Sequence, residues 1–231
     1  MNDTLFQIAS VILPMIFAIV FHEVAHGWMA RALGDPTAAE MKRLTLNPLR
    51  HVDLFGTIIL PGFLKLVGAP VFGWAKPVPV DYRRLRNPRL GMMAVAAAGP
   101  GSNLILALIA AVAMGLLARG FAGSTGEASL FWLFIAANLQ NFLLINIFLA
   151  LFNLLPIPPF DGSHIVEGLL PRRAAMAYTR LRPYGFPLLF ILLLVLPWAF
   201  PGLGIVERIV VPPVEWVHDL YIGLVRAIAG G

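Results

Sequence analysis

His22-Glu23-Val24-Ala25-His26 forms an HExxH pattern within a long apolar stretch. On a helix, positions i and i+4 lie on one face about one turn apart, so His22 and His26 can hold one metal ion between them. Glu23 beside them is a carboxylate able to take a proton from a water at that ion. The chemistry this spacing offers is metal-assisted hydrolysis. The competing reading is a helix end whose polar residues simply meet water. Ionisable groups at membrane depth cost several kcal/mol unless paired or put to use, which weighs against that reading.

The elements that must position these residues are membrane helices. Of the 231 residues, 59% are hydrophobic and only 13% charged, with mean hydropathy +0.82. A soluble domain carries about 25% charged residues, and here the apolar excess falls in long blocks. The net charge of +5 fits membrane topology rather than nucleic-acid binding, because the basic residues cluster in particular connections. With no cysteine, any metal must be held by histidine and carboxylate. Met1-Asn2-Asp3-Thr4 lacks the basic flank of a secretory signal peptide, and the apolar run after it is too long for one.

Leu5 to Leu33 is the first expected span, stopped by Gly34-Asp35-Pro36. From His22 to an interfacial Arg31 the helix covers about 14 Å at about 1.5 Å per residue, which puts the motif inside the membrane near the exit. Residues 34–90 carry nine basic residues, among them Lys42, Arg43, Arg50 and Lys76, against the acidic Asp35, Glu40, Asp53 and Asp81. The positive-inside rule makes this connection cytoplasmic. Its apolar segments Phe55 to Pro61 and Val71 to Val80 are too short to span and punctuated by Gly and Pro. They are expected to form a membrane-associated β hairpin or re-entrant element over the site, able to pair with an extended substrate or serving packing alone.

Gly91 to Ala118 and Leu130 to Phe152 are the second and third spans. Asn103, after Ala98-Gly99-Pro100-Gly101-Ser102, either glues helices together or points at the site; it lies about as deep as His22. Asn138, Gln140, Asn141 and Asn146 load the third span with groups suited to hydrogen bonds between helices. That span returns to the cytoplasmic side at Asn153 to Gly162, where prolines break the helix and Asp161 follows. Asp161 is either a third metal ligand or the N-cap of a helix from Gly162 to Leu170. Tyr184 to Val206 spans back out, and Glu207 to Gly231 is either a final kinked span or, as favoured, an extracytoplasmic amphipathic helix. The whole reads as one membrane-embedded α-helical domain over 1–231, with a core at about 5–170 and C-terminal helices at about 171–231.

His22-Glu23-Val24-Ala25-His26 paired with the Asn153 to Asp161-Gly162 stretch resembles the site-2 protease family of intramembrane zinc metalloproteases. The stretches Ala98 to Asn103 and Gly73 to Val78 also look like family signatures, and the likeness covers roughly residues 15–170. No PDZ-like insertion lies between the motifs, so the chain resembles the compact members. The resemblance implies a zinc site with Asp161 as third ligand beside His22 and His26, one zinc per chain; the mechanism expected there has Glu23 as the general base, with Asn103 a candidate to help hold the oxyanion. It implies cleavage of a transmembrane segment of another protein, locally unwound in the bilayer. The expected setting is a bacterial cytoplasmic membrane, with the N-terminus outside and the site near the cytoplasmic face. His51 and His164 are lesser candidates for a role at the metal, and His218 less again. The rival readings are a metal transporter and a metal-binding scaffold or pseudoprotease. Neither needs Glu23 between its ligands, and no second polar cluster lies near the outer face to serve transport.

Overall fold

The structure, a computed structural model, describes residues 3–68, 73–122, 129–200, 202 and 204–230. Its helices are α1 (Asp3–Ala32), α2 (Leu54–Leu66), α3 (Pro88–Phe121), α4 (Leu130–Asn153), α5 (Asp161–Leu169), α6 (Arg172–Ala199) and α7 (Val211–Ala229), with short helical turns between them. Four of these, α1, α3, α4 and α6, are long and apolar enough to cross a membrane. The first three match the expected spans to within about three residues. The fourth begins at Arg172 rather than Tyr184 and passes through a 3-10 turn at Arg182–Tyr184.

Helix α3 is the axis of the bundle, in contact with α1, α4, α5 and α7. Asn87 caps its start by accepting from the Leu90 N–H, and Pro88 occupies the first turn, where its missing N–H is harmless. Small residues along α3 bring its neighbours close: Ala107, Ala110 and Ala111 are buried with Leu143, Ile147, Val210 and Val214. In α1, Pro14 cannot donate to the Ser10 carbonyl four residues earlier. Asn141 of α4 takes up that acceptor at 2.8 Å, so one of the polar residues in the third span repairs a break in the first. The tail is ordered against the same bundle. Helix α7 packs on α3 and α4, and the Tyr221 hydroxyl donates to the Leu104 carbonyl at 3.1 Å.

The β hairpin expected after α1 is not what forms. Among the described residues there is no strand. The first arm is the helix α2, because the Asp53 side chain accepts from the Gly56 N–H and Pro61 stands in the first turn of its α-helical part. The second arm, 73–81, has no regular secondary structure, and Val71 and Phe72 lie outside the described residues. The two arms still meet: the Trp74 N–H donates to the Gly56 carbonyl at 3.1 Å, and Thr57 Oγ1 donates to the Trp74 carbonyl at 2.9 Å. Gly56 and Gly73 make this possible. A Cβ on Gly73 would lie 2.2 Å from the Gly56 carbonyl oxygen, and one on Gly56 would meet the Trp74 ring at 2.4 Å.

Candidate metal centre

Three side chains from distant parts of the chain converge on one point. His22 and His26 come from one face of α1, both buried. Asp161 comes from the start of α5, far along the chain. Their facing atoms are 3.1 Å apart between the two Nε2 atoms, 3.1 Å from His22 Nε2 to Asp161 Oδ2, and 3.3 Å from His26 Nε2 to Asp161 Oδ2.

The surroundings decide what those atoms are. Nδ1 of His26 lies 2.7 Å from the Val95 carbonyl, which can only accept, so the proton of this imidazole sits on Nδ1. Nδ1 of His22 lies 2.6 Å from Asn103 Oδ1. The amide of Asn103 is oriented by its nitrogen, which donates to the Ala18 carbonyl at 3.2 Å and to Asn146 Oδ1 at 2.7 Å. Asn146 in turn donates to the Phe142 carbonyl. Both Nε2 atoms are therefore bare lone pairs. Asp161 Oδ2 is buried and has no hydrogen-bond donor. Three acceptors aimed at one point repel each other, and a cation at that point relieves this. Zinc with nitrogen and oxygen ligands at about 2.0–2.1 Å sets tetrahedral ligand atoms about 3.3–3.4 Å apart, close to the observed spacing. The residues fit the ion.

The Asp161 side chain is not spent on capping α5. Phe160 is the N-cap of α5, and the Asp161 side chain caps no backbone N–H. Two glycines press α5 into place: a Cβ on Gly162 would lie 2.2 Å from the Leu154 carbonyl oxygen, and one on Gly168 would meet Met93 of α3 at 2.7 Å. Arg89 also donates to the Leu170 carbonyl, tying the two helices together.

Glu23 is half-buried, and its Oε2 accepts from the Val78 N–H at 2.9 Å. The 73–81 segment thus touches the turn of α1 that carries Glu23. It is pinned on both sides of that contact. Lys76 donates to the His51 carbonyl at 2.8 Å and accepts from Arg43 at 2.9 Å, and Asp81 N–H donates to buried Asp35 at 2.7 Å.

Asn103 does reach the site, but through His22. Both its amide hydrogens are engaged with Ala18 and Asn146, so none is left to hold an oxyanion. The other histidines lie outside the metal group. His51 has Nε2 at 2.8 Å from the Thr45 carbonyl and holds the covering segment through its main chain. His164 has Nδ1 at 3.2 Å from Arg182, which pairs with Glu167. Burial, with the Arg182 cation beside it, pushes its imidazole below the ordinary histidine range. His218 faces Asp219 on α7.

Three participants escaped the sequence reading. Val95 and Val78 act through main-chain groups, which leave no trace in residue type. Gly99 acts by having no side chain: a Cβ there would lie 2.5 Å from His26 Cε1 and Nε2 and 2.7 Å from His22 Cε1. The Ala98 to Asn103 stretch hinted at close helix approach, though not at what was being approached.

Similarity to known proteins extends over most of the chain. The family model for "Peptidase family M50" matches residues 10–196. A Bacillus subtilis (strain 168) protein named "Putative zinc metalloprotease YwhC" is 42% identical over 194 residues, which is 80% of this chain and 80% of that one. A Mycolicibacterium smegmatis (strain ATCC 700084 / mc(2)155) protein named "Putative zinc metalloprotease Rip2" is 30% identical over 185 residues, covering 80% of this chain and 66% of its own length. No solved structure matches the chain significantly.

Proposed function

The chain belongs to peptidase family M50, the site-2 protease family, and from that premise we propose how this membrane-embedded zinc metalloprotease assigns its residues. His22, His26 and Asp161 hold one zinc ion per chain. The observation that carries this is the meeting of two unprotonated Nε2 atoms and an undonated carboxylate oxygen in the turn that also presents Glu23. Zinc, when bound, supplies an acidified water and a positive charge for the carbonyl oxygen under attack.

Glu23 is the general base. Its carboxylate takes the proton of the attacking water and passes it to the departing amine nitrogen. The Val78 N–H holds that carboxylate in position, so Glu23 need not search among rotamers before reaction. Asn103 and Asn146 act behind the metal centre. They keep the Nδ1 proton of His22 in place and so keep Nε2 free for the ion.

The substrate is a transmembrane segment of another protein. A helix hides its carbonyl carbons, so the scissile stretch must unwind, and the non-helical 73–81 backbone offers main-chain groups for an extended peptide to pair with. Helix α2 and that segment form a re-entrant cover over the site, associated with the membrane. The charge bias of the connection between α1 and α3 supports a metal centre near the cytoplasmic face, with the N-terminus outside, and the membrane we assign is a bacterial inner membrane. Water reaches the site from the cytoplasmic side, which is nearest.

Glu23→Gln is the test. The variant is expected to bind zinc at the wild-type level and to cleave no membrane-protein substrate. Cleavage by a clean preparation of this variant would remove Glu23 from its role. Among the described residues no second group of possible metal ligands lies elsewhere, and nothing favours a transport path.

A further inference from the structure

On the side of α1 turned away from the metal centre, the chain folds back and leaves a cleft of about 490 Å³. Trp28, Arg31, Lys42, Thr45, Asn47 and Arg50 are among the residues lining it. Three cations share this space, and no acid lines it among the described residues. The nearby acids are taken: Glu40 pairs with Arg84, and buried Asp35 accepts from Thr37 and Asp81. Among the described residues no ion pair joins Arg31, Lys42 or Arg50 to a carboxylate. Like charges gathered around a cleft leave a field that an anion neutralises.

We propose that this cleft binds the headgroup of an anionic phospholipid. Two further features select a lipid. The cleft lies where α1 leaves the membrane. There an exposed Trp28, with the Arg31 guanidinium 5.4 Å from its ring centroid, forms the aromatic and basic pair that settles at headgroup level. Beside it Met41, Leu46 and Leu49 are exposed, Leu49 at 78%, and give acyl chains an apolar surface to lie on. The volume falls within the range of about 300–1,000 Å³ typical of small-ligand sites. Which leaflet supplies the lipid rests on the cytoplasmic reading above; the chemistry of the cleft does not.

The headgroup bears on the active site through its walls. Lys42 is followed by Arg43, which grips the Lys76 carbonyl, and Arg50 by His51, whose carbonyl takes the Lys76 N–H. Two residues beyond Lys76, Val78 holds Glu23. A headgroup bridging α1 and the 42–50 stretch therefore steadies the segment that orients Glu23.

Native mass spectrometry of the full chain in detergent tests this without a substrate and without reference to membrane sidedness. Phosphatidylglycerol, phosphatidylcholine, glycerol phosphate and inorganic phosphate are titrated separately. One phosphatidylglycerol is expected to bind per chain in preference to phosphatidylcholine. Removing cations should weaken it by about fivefold for each, so Arg31→Gln/Lys42→Gln/Arg50→Gln should lose well over tenfold. The control Arg172→Gln/Arg173→Gln/Arg180→Gln, with the same change in net charge, should bind as wild type. Zinc content reports folding independently of lipid. Lys42 has φ 53°, a conformation asparagine accepts, so Lys42→Asn alone should weaken binding by about fivefold without straining the backbone. No preference between the two lipids, equal weakening in the control, or equally tight binding of free phosphate overturns the proposal.

Discussion

Asn103 Oδ1 lies 2.6 Å from His22 Nδ1, across the contact between α3 and α1. Both Asn103 and Asn146 are fully buried, and their side chains run from α4 through α3 to the back of an imidazole on α1. A buried amide keeps this orientation only because each of its polar atoms has a partner. The consequence for the metal centre is a fixed tautomer.

Asn103→Ala removes the acceptor for His22 and frees the ring to turn or change tautomer. Zinc affinity is expected to fall about 10–100-fold, as for other partners behind metal-bound histidines. Asn146→Ala should do less, because Asn103 keeps its bond to the Ala18 carbonyl. Competition with a graded series of zinc chelators measures both. Wild-type affinity in Asn103→Ala, with the fold intact by thermal melting, would leave the relay without a function.

Gly99 and Gly101 make a paired test two residues apart. Gly99→Ala drives a methyl to 2.5 Å from His26, so α3 must retreat or the imidazoles must turn. The expected result is loss of bound zinc and about 1–3 kcal/mol of stability. A Cβ on Gly101 would meet nothing within 4 Å, so Gly101→Ala should leave zinc content and melting temperature unchanged. Similar behaviour of the two variants would contradict the packing described.

Elemental analysis of detergent-purified protein distinguishes the candidate ligands. Wild type should carry about one zinc per chain, and Asp161→Ala should lose it or hold it far more weakly. His51→Ala and His164→Ala should retain it. Full occupancy without Asp161 would move the third ligand elsewhere.

The hold of Val78 on Glu23 is a main-chain contact, so side-chain truncation and imino-acid substitution should separate. Val78→Pro deletes the donor and is expected to lower kcat by at least about tenfold, a part of the roughly 10²–10⁴-fold that a general base contributes, with zinc content unchanged. Val78→Ala retains the N–H and should keep most of the activity. Equal rates for the two would show that Glu23 does not depend on this bond.

Local geometry explains what the sequence by itself determined. The spacing of His22 and His26 is a property of one helix turn, and long apolar runs declare the spans α1, α3 and α4 wherever they pack. The Asp161 question could not be closed that way. Cap and ligand are the same residue type in the same place, and only the packing of Gly162 on Leu154 and Gly168 on Met93 sends the carboxylate to the histidines. Of the hairpin or re-entrant element expected after α1, the strands find no counterpart among the described residues: Gly and Pro punctuation resembles a strand, while the Asp53 cap and the position of Pro61 favour a helix start. The tertiary structure alone turned Asn103 from the oxyanion towards His22, recruited the carbonyl of Val95 and the N–H of Val78, and set α7 along the bundle. Those choices depend on contacts between residues far apart in the chain and on backbone groups that every residue shares, and neither is written in residue type.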